Sequence, residues 1–391
     1  MTPSFEELRR SGVSVFRAPG RVNLIGEHTD YNEGFVMPLA IDRYTQVAIL
    51  PRDDRKLLIH SEIFSESVEF DLDDPNPQPS GHWSDYVRGV VVMLERSGVR
   101  LNGANLSIES NVPIGAGLSS SAAIEVASAI AMLETAALQF CSQQSNIKSA
   151  SGDIDRRALA TLCQRAENEF VGMRCGIMDQ FISSCAQAGT ALMLDCRSLD
   201  FRLLPLPEDV RLVICNTMVK HALAASEYNT RRAECEAGVG YFAKLLPDVR
   251  ALRDVSIADF ERLGGGLDEV IYKRCRHVIT ENARVLEAAS AIEQNDLIGF
   301  GILMVDSHRS LRDDYEVSCR ELNIMVDLAT PIEGVHGARM TGGGFGGSTI
   351  NLVKTEKVGE FKRTVASGYE QATGMTPEIF VCAAASGASR V

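Results

Sequence analysis

The stretch "NLSIESNVPIGAGLSSSAAIEVASAIAML", Asn105 to Leu133, constrains the chain most, because it prescribes an order of elements and a kind of site together. Leu106 and Ile108 alternate with Ser107 and Glu109, the period of a half-buried strand. After the loop, Val126, Ile130, Leu133 and Ala137 recur at helical spacing. Between them, Gly115 and Gly117 let the backbone approach a ligand, and the first amides of the helix are unpaired donors at the positive end of its dipole. Strand, glycine loop, helix is therefore an anion site, best suited to phosphate. The G-x-x-x-x-G-K-[ST] spacing and its lysine are absent, so this is not a Walker A loop. Three hydroxyls stand at the helix start instead, Ser119, Ser120 and Ser121, either as caps or as part of the phosphate site.

A chain that takes phosphate here does so against its own charge, since 52 acidic and 39 basic residues give a formal net charge of −13. That balance excludes general affinity for nucleic acid or an anionic membrane surface, both polyanions repelled at long range. Backbone N–H groups and a few arginines have to supply the local attraction. At 391 residues, 45% hydrophobic and 23% charged, the chain has room for two domains with cores of their own and is neither disordered nor fibrous. The opening "MTPSFEELRRSGVSVF" has no apolar signal-peptide core, and no apolar run reaches about eighteen residues, so the expected location is cytoplasmic. The cysteines, from Cys141 to Cys382, form no C-x-x-C pair and are expected as reduced core thiols.

No repeat or low-complexity tract interrupts the chain, and the Pro-rich "DDPNPQPSGHW", Asp73 to Trp83, is short enough for a surface loop. Strand-like stretches such as "YTQVAILP" alternate with helix-like ones such as "AAIEVASAIAMLETAAL" in the first half, whereas Arg231 to Val326 reads as helix after helix. A Gly-rich "GARMTGGGFGGSTINLV" and a strand-like "EIFVCAA" follow. The expected fold is α+β, broken near "LPLPEDVRLVICNT" into domains at residues 1–205 and 206–391, with the catalytic cleft where they meet.

Three further places carry chemistry. In "APGRVNLIGEHTDYNEGF", Ala18 to Phe35, the tetrad Glu27, His28, Thr29 and Asp30 directly follows an apolar run, either as a solvated turn or as a grip on something rich in hydroxyls. In "CGIMDQFISSC", Met178, Phe181, Ile182 and Cys185 form an apolar stripe that leaves Asp179 on its flank near a helix start. There a carboxylate either favours the helix N-terminus or acts on a ligand. In "CQRAENEFVG", Glu167 and Glu169 lie on the two sides of a stripe formed by Leu159, Cys163, Ala166 and Phe170, and periodicity does not choose between them.

Taken together, Gly20 to Gly34, "PIGAGLSSSAA" at Pro113 to Ala123 and "GGGFGG" at Gly342 to Gly347 resemble the three motifs of the GHMP kinase superfamily. Within it, "GRVNLIGEHTDYN" is similar to the galactokinase family signature, and "CGIMDQFIS", "LDCRSL", "SEYNTRR" and "SHRSLRDDYEVS" extend the likeness over nearly the whole chain. Ala123, where serine is frequent, and Ser348, where cysteine is frequent, are small departures. The resemblance implies an N-terminal domain of the ribosomal-protein-S5-like kind and a C-terminal α+β domain of the GHMP type, with the active site between them. It implies transfer of the γ-phosphoryl group of ATP to the anomeric hydroxyl of α-D-galactose, with Mg²⁺ as the metal and no obligate protein partner.

Residue by residue, Asp179 matches the family's catalytic aspartate and Arg21 the arginine beside it. Glu27, His28, Thr29, Asp30, Gly176, Asp179 and Tyr228 match sugar contacts. Gly115, Ala116, Gly117, Leu118, Ser119, Ser120 and Ser121 match the phosphate loop, and Ser61 a further nucleotide contact. Ser121 and Glu167 match the metal ligands, and this match is what selects Glu167 over Glu169. Two other readings are a non-catalytic sensor of galactose and ATP, against which the complete "GLSSSA" at Gly117 to Ala122 speaks, and a kinase for N-acetylgalactosamine, which shares the axial 4-hydroxyl.

Overall fold

The computed structural model describes residues 4–137, 147, 153–219 and 224–391. The strands of the first half build a six-stranded sheet in the order Ser389–Arg390, Ser14–Asn23, Pro38–Pro51, Ala104–Ser110, Lys56–Ser61, Glu66–Asp71. Neighbours are antiparallel except Lys56–Ser61 and Ala104–Ser110, which run parallel. Burial follows the period of two: Leu57 and Ile59 are buried, while Leu58 and His60, alternating with them, are half-buried. Helices Asp85–Arg96 and Ser120–Ala137 cover one face. Val87, Val91 and Leu94 from the first and Val126, Ile130 and Leu133 from the second join Phe16, Val47 and Leu106 in one cluster. Burying each such side chain contributes about 1.5–3 kcal/mol. The Pro-rich segment is a loop, tied to its helix because Asp85 accepts from the N–H groups of Ser80 (2.6 Å) and Gly81 (2.7 Å).

The helical stretch comprises Ala224–Phe242, Ile257–Leu263, Glu269–Glu293, Leu297–Asp313 and Arg320–Ala329. An antiparallel four-stranded sheet runs Val335–Thr341, Ser348–Lys354, Val210–Asn216, Glu378–Cys382, and a three-stranded one runs Phe35–Val36, Thr190–Asp195, Phe201–Pro205. The expected division after residue 205 thus falls between two strands of different sheets. Two features bridge it. One buried cluster joins Leu24, Met37 and Leu39 to Val285, Phe300 and Ile350. The last strand, Ser389–Arg390, returns to pair with Phe16 and Arg17. The described cysteines are free thiols, with Cys163, Cys215, Cys235, Cys275 and Cys382 buried; Cys141 lies outside the described residues.

Candidate active site

Along Ser14–Asn23 the register shifts between Pro19, opposite Tyr44, and Arg21, opposite Ala40. This bulge re-aims Arg21 at the glycine loop. Its N–H donates to the Leu118 carbonyl (3.1 Å) and its Nη1 to that of Gly117 (2.6 Å). The remaining fork, Nε and Nη2, meets the two oxygens of Asp179 at 2.7 and 2.8 Å, a bidentate pair. Asp179 stands in the first turn of helix Met178–Cys185, and the Ser119 hydroxyl also donates to its Oδ2. Arg21 is 6% exposed and Asp179 26%, so the carboxylate is the member open to the cleft.

The second glycine loop backs the first. Gly342 has φ 83°, and a Cβ there would lie 2.8 Å from the Gly117 carbonyl; at Gly347, φ 81°, it would lie 3.1 Å from that of Ala116. The Ser348 hydroxyl donates to the same Ala116 carbonyl at 2.8 Å. Ala116 is therefore engaged in joining the two loops and lies off the cleft wall, whereas Gly115, Gly117, Leu118, Ser119, Ser120 and Ser121 line a cavity of about 470 Å³.

The same cavity is lined by Glu27, His28, Asp30, Gly176 and Tyr228. Thr29 is not on its wall: its buried hydroxyl lies 2.8 and 2.6 Å from the carbonyls of Gly26 and Phe35 and closes the turn that presents its neighbours. The Glu27 carboxylate accepts from Asn23 Nδ2 (2.7 Å), Arg339 Nη1 (2.6 Å) and the Gly342 N–H (2.8 Å). Asp30 lies against Gly176, where a Cβ would fall 2.0 Å from Asp30 Oδ2, so a side chain there would displace the Asp30 carboxylate. Tyr228, from helix Ala224–Phe242, brings its ring to 5.5 Å from that of His28. Ser61 ends its strand off the cavity wall, buried, with its oxygen accepting from the Phe64 N–H at 3.4 Å.

This geometry meets the comparisons with known proteins. Residues 4–51 match the galactokinase galactose-binding signature, 85–187 the GHMP kinases N terminal domain and 288–371 the GHMP kinases C terminal domain. A galactokinase of Chloroflexus aggregans is 48% identical over 96% of this chain and 93% of its own. The chain belongs to the galactokinase family of GHMP kinases. A galactokinase of Mannheimia succiniciproducens is 44% identical over 97% of this chain and 95% of its own. The solved structure of Lactococcus lactis galactokinase complexed with galactose superposes with a TM-score of 0.89 at 36% identity, covering 97% of this chain and 95% of that one. A mevalonate kinase of Methanococcus jannaschii, at 18% identity and a TM-score of 0.63, shares the fold.

In this galactokinase-family chain the helix Arg156–Arg165 passes into a π-helical turn, Ala166–Val171, a deviation found often at functional sites. Glu167 on that turn is 4% exposed, lines the cleft and is hydrogen-bonded by Ser121, whereas Glu169 pairs with Arg165 at the surface, 2.7 Å away. Burial, with the Asp179 charge second, pushes the Glu167 carboxyl up to about 7. The same two causes push Asp30 up to about 7. Burial also raises Glu27, with Arg339 and the Gly342 N–H pulling the other way. Among the described residues no group of three or more His, Cys, Asp or Glu forms a protein-only metal site. One hydroxyl touching one buried carboxylate beside a phosphate loop does fit Mg²⁺, which keeps water and takes phosphate oxygens.

Three residues that frame the site, Arg339, Gln180 and Glu125, escape the sequence reading. Arg339, fully buried, anchors Glu27, and Gln180 Nε2 reaches both Glu167 (2.6 Å) and the fully buried Glu125 (3.0 Å). Their signal was charge or amide in the wrong company: Glu125 is the one ionisable residue among "SSSAAIEVASAIAML", and Arg339 sits in a strand otherwise lacking charge.

Proposed function

We propose that this chain transfers the γ-phosphoryl group of ATP to the anomeric hydroxyl of α-D-galactose, releasing galactose 1-phosphate and ADP. The observation that carries the reading is the Arg21–Asp179 fork, held by the glycine–serine loop, in one cavity with Asp30 and Gly176. Asp179 receives the sugar's 1-hydroxyl. With Arg21 and Ser119 donating to it, it orients that hydroxyl toward the phosphate more than it withdraws the proton, which suits the loose transition state of phosphoryl transfer. Arg21 offsets charge gathering on the transferred group. The amides at the start of Ser120–Ala137 take the phosphates. Ser121 and Glu167 would hold Mg²⁺, which supplies charge neutralisation on the phosphate oxygens. Phe64, stacked on Trp83 with ring centroids 5.6 Å apart, offers a flat apolar surface for the base, with the Ser61 hydroxyl accepting from the Phe64 N–H and Tyr86 on the cavity wall.

Among the described residues no helix is long and apolar enough to cross a membrane. The test is ADP release from Mg-ATP with a panel of hexoses. Galactose is expected to be the best acceptor. Release that no sugar stimulates would overturn the reading in favour of a sensor.

A further inference from the structure

His28 carries the family's sugar-binding match and lines the cavity, yet the protein occupies both of its ring nitrogens. Nε2 lies 3.2 Å from the carbonyl of Gly343, which only accepts, so Nε2 bears the proton. Nδ1 is then a bare acceptor, and the Tyr31 hydroxyl, 2.8 Å away, donates to it. Tyr31 has one proton, so the Tyr315 hydroxyl at 2.6 Å donates to Tyr31. Cys235, its sulfur 3.1 Å from the same Tyr315 oxygen, donates in turn. One carbonyl thus fixes the direction of every proton from Cys235 to Gly343. Ring contacts hold the ladder in place: Tyr315 lies 4.7 Å from His28 on one side and 4.5 Å from His277 on the other, and His277 reaches the Glu27 carbonyl at 3.1 Å.

We propose that His28 is a positioning residue: through Nε2–H it ties the signature turn to Gly343 of the second glycine loop, through its ring it seats Tyr228, and it makes no hydrogen bond to the sugar from either nitrogen. Burial keeps the imidazole neutral, its pKa lowered to about 3, so the assignment of donors holds throughout the working range. The inference deepens the galactokinase reading and rests on it for the sugar.

The experiment is two-bond ¹H–¹⁵N correlation of protein labelled at its seven histidines, with His28 assigned by the signal lost in His28→Gln. The expected spectrum shows His28 as the neutral Nε2–H tautomer, unchanged on saturation with galactose. Tyr31→Phe, which alters a residue off the cavity wall, should move the Nδ1 resonance. It should also raise the galactose KM about tenfold while kcat stays within about threefold, because Nδ1 is left buried without a donor. A galactose-dependent shift of Nε2, or the opposite tautomer, would make His28 a sugar ligand and overturn the proposal. So would Tyr31→Phe with parental resonances and KM. Failure of the parent to phosphorylate galactose would instead defeat the functional reading, and the tautomer would still be read from the sugar-free protein.

Discussion

The two sides of the cavity are built from different materials. Where phosphate is expected, backbone does the work: the Gly115 to Ser119 loop and the Gly342 to Gly347 loop lie back to back, with separations that a single Cβ would violate. Around Glu27 to Asp30, side chains do it, positioned by groups both near and far along the chain: Glu27 by Arg339, His28 by nearby Tyr31 and by the Gly343 carbonyl, Asp30 against the backbone of Gly176. Phosphate is the common part of the superfamily's substrates and needs only donors and room. A hexose differs from its epimer by one hydroxyl, and only fixed, directional partners register that.

Asp179 belongs to both sides, so its loss is expected to be the largest. Asp179→Asn should keep ATP binding and lose about 10² or more in turnover, the range for a positioned acid–base group. Single-turnover kinetics within about threefold of the parent would remove it from the mechanism. The comparison itself breaks most cleanly on a pair of variants. Asp30→Asn exchanges an acceptor oxygen for a donor and should cost galactose about tenfold or more in kcat/KM, narrow the galactose-to-glucose ratio and leave the ATP KM alone. Gly342→Ala should do the reverse, raising the ATP KM and lowering the unfolding free energy by about 1–3 kcal/mol, because φ 83° and the Gly117 carbonyl at 2.8 Å both oppose a methyl group. If Asp30→Asn weakens both sugars equally, Asp30 is a support for the turn and the sugar side is not what discriminates.

A smaller effect separates the two glutamates. Glu167→Gln and Ser121→Ala should raise the Mg²⁺ concentration for half-maximal activity severalfold, whereas Glu169→Gln, which breaks only a surface pair with Arg165, should not. A further effect is on stability against pH. Asp30 is held up at about 7 against an ordinary 3.8, so between those values the native state keeps a proton that the unfolded chain has released. Its contribution is complete below about pH 4 and is lost as pH rises through 7. Urea unfolding of the sugar-free parent should weaken between pH 5 and pH 8 by about 1–3 kcal/mol more than that of Asp30→Asn.

What could be read without coordinates was whatever one segment carries by itself. The strand, loop and helix around Gly115 to Ser121, the helical stretch from about Arg231 to Val326 and the flank position of Asp179 each follow from a local period, and Ala104–Ser110 and Ser120–Ala137 lie where that period puts them. Thr29 was grouped with its neighbours because a tetrad has no visible inside; only the fold shows its hydroxyl turned to two backbone carbonyls. Glu167 was separable from Glu169 only by motif, since a 3.6-residue period does not foresee a π turn. Arg339, 312 positions from Glu27, was out of reach of any pattern confined to a window.

The return of Ser389–Arg390 to the first sheet has a consequence for how the molecule is made. Phe16 and Arg17 leave the ribosome early, and their strand partners on that side follow about 370 residues later, with Val391 donating its N–H to the Val15 carbonyl. Until then Ser14–Asn23 offers an unpaired edge, the template on which a second chain can add. Synthesis is vectorial but this sheet pairs an early strand with a late one, so a nascent chain that has not yet reached Ser389 already carries the residues of the site and still exposes that border. Pairing of Ser389–Arg390 is the event that covers it.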